Sequence, residues 1–255
     1  LVDGLLVAGR ADGPAVALDA RTGQERWRFA PDGGITQSIA AADGLVFLDG
    51  PQAVYALDVL RGTKRWEAAV DTPFRGVVVD GVVYVASMGG AVGLSEATGA
   101  KVWGWSGPIG RKSTVIRVAD GVAFVSAGDG RIYGIDIATG AERWPPVEST
   151  SLNPGGVEIV GDTLYTGEVQ GDALNPVGRL YAIDRASGKV RWQFPSPSGS
   201  QINPGAIRDG VVYVDGAKDG IFALRDDGDH PTLLWHVAAP TAWFAPVLVD
   251  DTLYV

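Results

Sequence analysis

The stretch Gly134-Ile135-Asp136-Ile137-Ala138-Thr139-Gly140-Ala141-Glu142-Arg143-Trp144 decides the fold, because the chain repeats it. Close copies occupy residues 17–27 (ALDARTGQERW), 56–66 (ALDVLRGTKRW), 93–103 (GLSEATGAKVW) and 182–192 (AIDRASGKVRW). A longer, degenerate copy, ALRDDGDHPTLLW, runs over 223–235. The six tryptophans are 39, 37, 41, 48 and 43 residues apart. A period near forty residues signals a solenoid, a propeller or an array.

Physically the unit reads as strand, tight turn, strand. Its opening (IYGIDI, VYALDV, LYAIDR) alternates large apolar with small or polar residues, the period of a half-buried strand. Asp136 ends that strand, and its carboxylate is placed to accept backbone N–H groups two or three residues on. Gly140 supplies a positive φ, Thr139 a further hydroxyl bond, and Trp144 a ring on the returning strand that wedges between neighbouring sheets. The repeated Asp and Trp are therefore structural, since a site is not usually copied at every period.

Each repeat adds two further signals. One is an apolar run ending in Asp-Gly: Asp3-Gly4, Asp43-Gly44, Asp80-Gly81, Asp120-Gly121 and Asp209-Gly210, with Gly161-Asp162 and Asp250-Asp251 as variants. Asp-Gly between alternating strands is a strong hairpin signal. The other is the strand after it (LLVA, LVFL, VVYV, VAFV, TLYT, VVYV). Four antiparallel strands per repeat result, labelled A to D, with no convincing helix. Solenoid coils are shorter than this period and open sandwiches do not repeat internally, so the fold expected is an all-β propeller of four-stranded antiparallel blades.

Composition agrees. Apolar residues are 46% of the 255, and 36 glycines and 15 prolines are spread along the chain as turns require. The net charge of −9 and pI near 4.7, with no basic stripe, argue against nucleic acid as a partner. No stretch approaches the ~20 apolar residues of a membrane helix. The absence of cysteine removes disulfides, thiolate zinc sites and haem attachment. The chain opens with LVDGLLV and closes with LVDDTLYV, the same phase of the repeat. The expectation is a single domain over 1–255, truncated at both ends, with six recognisable repeats of an original seven or eight.

The pattern (A/V)DGxVYV … (Y/V)(A/G)(L/I)DxxTGxxxW resembles the repeat of the PQQ-like β-propellers, the quinoprotein alcohol dehydrogenase-like superfamily. The resemblance spans essentially the whole chain, and the matching residues are the structural ones. Some members of that superfamily are dehydrogenases holding pyrroloquinoline quinone and Ca²⁺ on the propeller axis. Others lack the cofactor and act as binding or scaffold modules, among them the propeller lipoprotein of the outer-membrane β-barrel assembly machinery and extracytoplasmic sensor domains of bacterial kinases. The vicinal Cys–Cys pair many of the enzymes carry is missing here. The resemblance thus implies a non-catalytic, extracytoplasmic (periplasmic or cell-surface) binding or scaffold propeller with no cofactor. The alternative is a fragment of a PQQ- and Ca²⁺-dependent dehydrogenase of alcohols or sugars.

Blade geometry places a site. The A–B and C–D turns, nearly invariant between copies, share one end of each sheet. The variable D–A segments and the insertion over 167–178 (GEVQGDALNPVG) share the other, and variation on a rigid scaffold is where binding resides. A protein partner or small ligand is expected there. The candidates are Gln37, Arg75, Arg111, Lys112, Asn153, Gln201 and Asn203, with Trp243 and Phe244 as aromatics. Bland readings stand beside them: Asn153-Pro154-Gly155 and Asn203-Pro204-Gly205 as turn starters, the cations as a solvated rim, and Trp243-Phe244 as packing. Arg111 and Lys112 together could instead hold an anionic group. His230 and His236 are read as lying near the sixth C–D turn, away from this end. No carboxylate is clearly placed at the ligand end, no metal site is expected, and no Ser/His/Asp arrangement is legible.

Overall fold

Asp-Gly pairs, alternating strands and one tryptophan per repeat become hairpins, sheets and inter-sheet wedges in the computed structural model. It describes residues 1–9, 13–107, 113–148, 156–170, 177–238 and 246–255, with the side chains of 37–39, 113–114 and 168–170 outside the description. The chain divides into two compact units, Leu1–Gly121 and Val122–Val255.

The first unit begins with a three-stranded sheet, β1 (Leu5–Gly9), β2 (Ala15–Asp19) and β3 (Glu25–Phe29). Two four-stranded antiparallel sheets follow. One is β4 (Gln37–Ala42), β5 (Leu45–Asp49), β6 (Ala53–Asp58) and β7 (Lys64–Ala69); the other is β8 (Phe74–Val79), β9 (Val82–Ser87), β10 (Gly90–Ser95) and β11 (Lys101–Ser106). Strand β12 (Ser113–Ala119) packs beside β8 and β9. The second unit opens with β13 (Val122–Ala127), β14 (Arg131–Asp136) and the short β15 (Val147–Glu148). Its complete sheets are β16 (Val157–Val160), β17 (Thr163–Gln170), β18 (Val177–Asp184), β19 (Val190–Pro195), then β20 (Asn203–Arg208), β21 (Val211–Asp215), β22 (Ile221–Asp226), β23 (Pro231–Val237). A hairpin, β24 (Val247–Val249) and β25 (Thr252–Tyr254), ends the unit. Each complete sheet is a meander whose neighbours in sequence are neighbours in space, the blade architecture read from the repeat.

The A–B turns have the geometry their Asp-Gly pairs demand. Asp3, Asp43, Asp80, Asp120 and Asp209 have φ of 45–53° and the glycines after them 71–76°, two successive left-handed residues as in a type I′ turn. At the C–D turns the aspartate closes the loop. Asp136 Oδ1 accepts the Thr139 backbone N–H and hydroxyl, both at 2.9 Å, and Asp19, Asp58 and Asp184 do the same work in their repeats. The other oxygen takes an arginine seven residues on: Arg26 with Asp19, Arg65 with Asp58, Arg143 with Asp136, Arg191 with Asp184. The Thr139 backbone bond and hydroxyl, then Arg143, hold the Asp136 carboxyl below the usual aspartate range. The third repeat loses both partners at once, with Ser95 for the aspartate and the exposed Val102 for the arginine. Asp136→Ala should accordingly lower the urea midpoint, while Ser95→Ala should leave it in place; equal shifts would remove the turn-closing role from the aspartate.

The tryptophans lock sheet to sheet. Each sits opposite a small residue of strand C: Ala17↔Trp27, Ala56↔Trp66, Gly93↔Trp103, Ala182↔Trp192, Ala223↔Trp235, with a register shift just beyond. In four repeats the indole N–H then reaches the C–D turn of the following repeat, whereas that of Trp103 is buried without a hydrogen-bond partner among the described residues. Trp27 donates to the Val59 carbonyl at 2.8 Å, Trp66 to that of Glu96 at 2.7 Å, Trp144 to that of Arg185 at 3.2 Å, and Trp192 to Asp226 Oδ1 at 2.8 Å. The fourth repeat departs from expectation in one respect. Trp144 precedes rather than lies on the returning strand, because Pro145-Pro146 cannot donate to the ladder and pairing resumes only at Val147.

Glu96 is the anomaly of this scaffold. It occupies the position of Val59 one repeat earlier, where Val59 packs in the core with Trp27. Glu96 is 7% exposed, and its Oε1 is buried without a hydrogen-bond partner among the described residues. Burial, then the charge of Asp43, raises its pKa. A raised folded-state value means the group's contribution is complete below the unfolded pKa and fades as pH rises through the folded one. Glu96→Gln should match wild type in urea at about pH 4 and exceed it at about pH 8; a difference independent of pH would contradict this.

Candidate functional site

Backbone strain separates the two ends of the sheets. Among the described residues, non-glycine residues of positive φ are six A–B turn aspartates and three others: Thr72 (47°), Arg75 (37°) and Ala217 (51°). All three lie in D–A or B–C segments, the end singled out by its variability. Such conformations cost about 1–3 kcal/mol each and persist where the surroundings enforce them, often at functional sites. The A strands also carry bulges near this end, at Ser38/Ala40, Phe74/Gly76 and Pro204/Ile207, and a bulge re-aims the side chains beside it.

In the first unit this end is formed by segment 71–75 and the turn after β9, tied together where the Met88 N–H donates to the Asp71 carbonyl at 3.0 Å. Arg75 is exposed, and its guanidinium carbon lies 5.5 Å from the centroid of the Phe74 ring. No carboxylate pairs with it among the described residues. Asp49 ends β5 fully buried, opposite Gln37 in register.

In the second unit the same end holds a polar network. Asn203 begins β20 and faces the fully buried Asp215 across the ladder. Asp215 Oδ1 accepts the N–H of Ala217 at 2.7 Å, and Gln201 Nε2 donates to Asn203 Oδ1 at 3.2 Å. Asp219 closes a one-turn 3₁₀ helix, Ala217–Asp219, and its Oδ2 accepts the Ser196 hydroxyl at 2.5 Å and the Ser198 N–H at 3.0 Å. Burial opposes its ionisation, but these serine bonds prevail and lower its pKa. The His236 ring stacks on Phe222 at 4.4 Å, with Nε2 2.5 Å from the Asp219 carbonyl oxygen. His236 thus belongs to this end and not to the C–D turn, because β23 carries it the length of the sheet. Asn203-Pro204-Gly205 is likewise a strand start and not a turn; Pro204, near the start of β20, is where a missing N–H is tolerated.

Of the sequence candidates, Arg75 belongs to the first unit and Gln201 with Asn203 to the second, while Gln37 is placed by its backbone alone. Arg111, Lys112, Asn153, Trp243 and Phe244 lie outside the described residues. Sequence reasoning missed Asp49, Asp215 and Asp219. The signal was present in FLDG and YVDG, a strand followed by Asp-Gly at the B–C position.

Ser196 donates to the Asp219 carboxylate, whose lowered pKa makes it a weak base, and His236 meets a backbone carbonyl oxygen instead of a hydroxyl. A Ca²⁺–quinone site does not fit the described residues. Calcium takes about six to eight oxygen ligands, whereas no three of His, Cys, Asp and Glu are grouped to hold a metal among the described residues. Asn203 Oδ1 and Asp215 Oδ1 are moreover already engaged.

A family model described as outer membrane protein assembly factor BamB matches residues 11–144, 52–201 and 154–255. The chain belongs to this family. It is 28% identical to BamB of Yersinia pestis over 273 residues, covering 92% of this chain and 66% of that protein. It is also 28% identical to the serine/threonine-protein kinase AfsK of Streptomyces coelicolor, covering 79% of this chain and 31% of the kinase. The chain therefore spans less than two thirds of the length of either relative. The crystal structure of BamB from Moraxella catarrhalis superposes with a TM-score of 0.77 at 21% identity, over 98% of this chain and 76% of that one. The fold is a β-propeller. Among the described residues no helix is long and apolar enough to cross a membrane.

Proposed function

We propose that this chain is a non-catalytic binding or scaffold propeller working outside the cytoplasm, with a protein partner docking on the D–A and B–C end of its sheets. The observation that carries this reading is the division of labour along each blade. At the A–B and C–D end, aspartate, arginine and tryptophan are consumed by turn closure and sheet packing. At the other end stand strained residues, bulges and polar groups that packing does not require. Family membership supports it, since relatives are named for outer membrane protein assembly. The kinase relative fits a sensing version of the same role.

The reading includes working without pyrroloquinoline quinone. Titration with the quinone and Ca²⁺ at micromolar concentration, followed by tryptophan fluorescence, should give no saturable change. Saturable quenching that disappears with EDTA and in Arg111→Ala would make the dehydrogenase alternative the better account.

A further inference from the structure

We infer that Phe74, Arg75 and Met88 form a recognition patch for an acidic peptide segment, in which a carboxylate flanked by an apolar side chain meets the Arg75 guanidinium. The inference rests on the proposed binding role and names the partner's chemistry. Arg75 sits in the β8 bulge with φ of 37°, and Thr72, three residues before it, is also left-handed at 47°. A bulky residue is unfavourable there, and glycine would relieve the strain. The segment nevertheless carries arginine.

Among the described residues the side chain closes no turn and joins no ion pair; its one ring contact is with its own neighbour, Phe74. Arg26, Arg65, Arg143 and Arg191 each close a turn through an aspartate, whereas Arg75 has no carboxylate partner among the described residues and is exposed in a chain of net charge −9. It lies over Phe74, which pre-sets the guanidinium and leaves its N–H edge free for a bidentate carboxylate. The neighbouring acid, Asp71, takes the Thr72 hydroxyl at 3.0 Å. Met88, the chain's single methionine, is 40% exposed at the same end of the third sheet. An arginine, an aromatic ring and an adaptable thioether are the residue types that anchor partner segments.

The test uses a fluorescein-labelled peptide of alternating glutamate and leucine, with its glutamine counterpart as the neutral probe. Wild type should bind the acidic peptide saturably and salt-dependently, and the neutral one at least tenfold more weakly. Arg75→Ala should lose at least tenfold affinity, Arg75→Lys should fall between, and Arg21→Ala, on the C–D end of the first sheet, should bind as wild type. Arg75→Gly should raise Tm while losing the peptide, the opposite of what a structural arginine would show. Equal affinity in Arg75→Ala, absence of saturable binding by wild type at millimolar peptide, or a lowered Tm in Arg75→Gly would overturn the inference. Those failures leave the cofactor-free reading standing, which fails only if the quinone binds.

Discussion

Trp66→Ala is expected to destabilise the protein by about 3–5 kcal/mol, the scale of a buried aromatic truncated to alanine. The ring is buried with Phe47, Val83, Val85 and Leu94, and tilts against Phe47 at 5.8 Å. Its N–H also satisfies the Glu96 carbonyl of the next sheet. The same substitution at Trp235, equivalent in sequence but 41% exposed, should cost about 1 kcal/mol or less. Chemical denaturation of the two variants separates packing from mere membership of the motif. Similar losses at both would mean that the ring stabilises its own sheet and not the junction with the next.

The second large effect is expected at a glycine. In the turns that follow a buried tryptophan, a Cβ on Gly62 would lie 2.6 Å from the Trp27 ring, on Gly99 2.7 Å from Trp66, and on Gly188 2.6 Å from Trp144. Each of these glycines also has φ near 70°. Gly62→Ala therefore combines left-handed strain of about 1–2 kcal/mol with overpacking of about 1–3 kcal/mol against a ring already wedged in place. Gly23 has the same φ but open space around its Cβ position, so Gly23→Ala should show the strain alone. If the two alanines shift the urea midpoint equally, the glycine serves only the turn and the ring contact carries no energy.

Reading the sequence recovered the scaffold because the scaffold is what repeats. Asp136, Thr139 and Gly140 could be assigned turn roles from spacing alone, since such turns are closed by neighbours in sequence. The Asp136–Arg143 pairing was not read, although it is equally local and the joint change to Ser95 and Val102 in the third copy marks it. The tryptophan's acceptor was not legible: a backbone carbonyl such as that of Val59 leaves no mark on residue type. Of the candidate site, Arg75, Gln201 and Asn203 were singled out because they depart from the repeat. Asp215 and Asp219 were missed because their Asp-Gly setting imitates the A–B turns, and His236 was misplaced because its position depends on the length of β23. Glu96 could not be singled out from residue type, because its column holds Ala20, Val59 and Ile137 but also Arg185 and Asp226.

The most direct test of the account asks which end of the sheets meets a partner. A photo-cross-linking amino acid placed at position 75 or 201 probes the D–A and B–C end; at position 21 or 61 it probes the C–D turns. Irradiated in the cells that produce the protein, positions 75 and 201 should yield protein adducts of defined mass, while 21 and 61 should not. Adducts confined to 21 and 61, or none at 75 and 201, would contradict the assignment of binding to the strained and variable end.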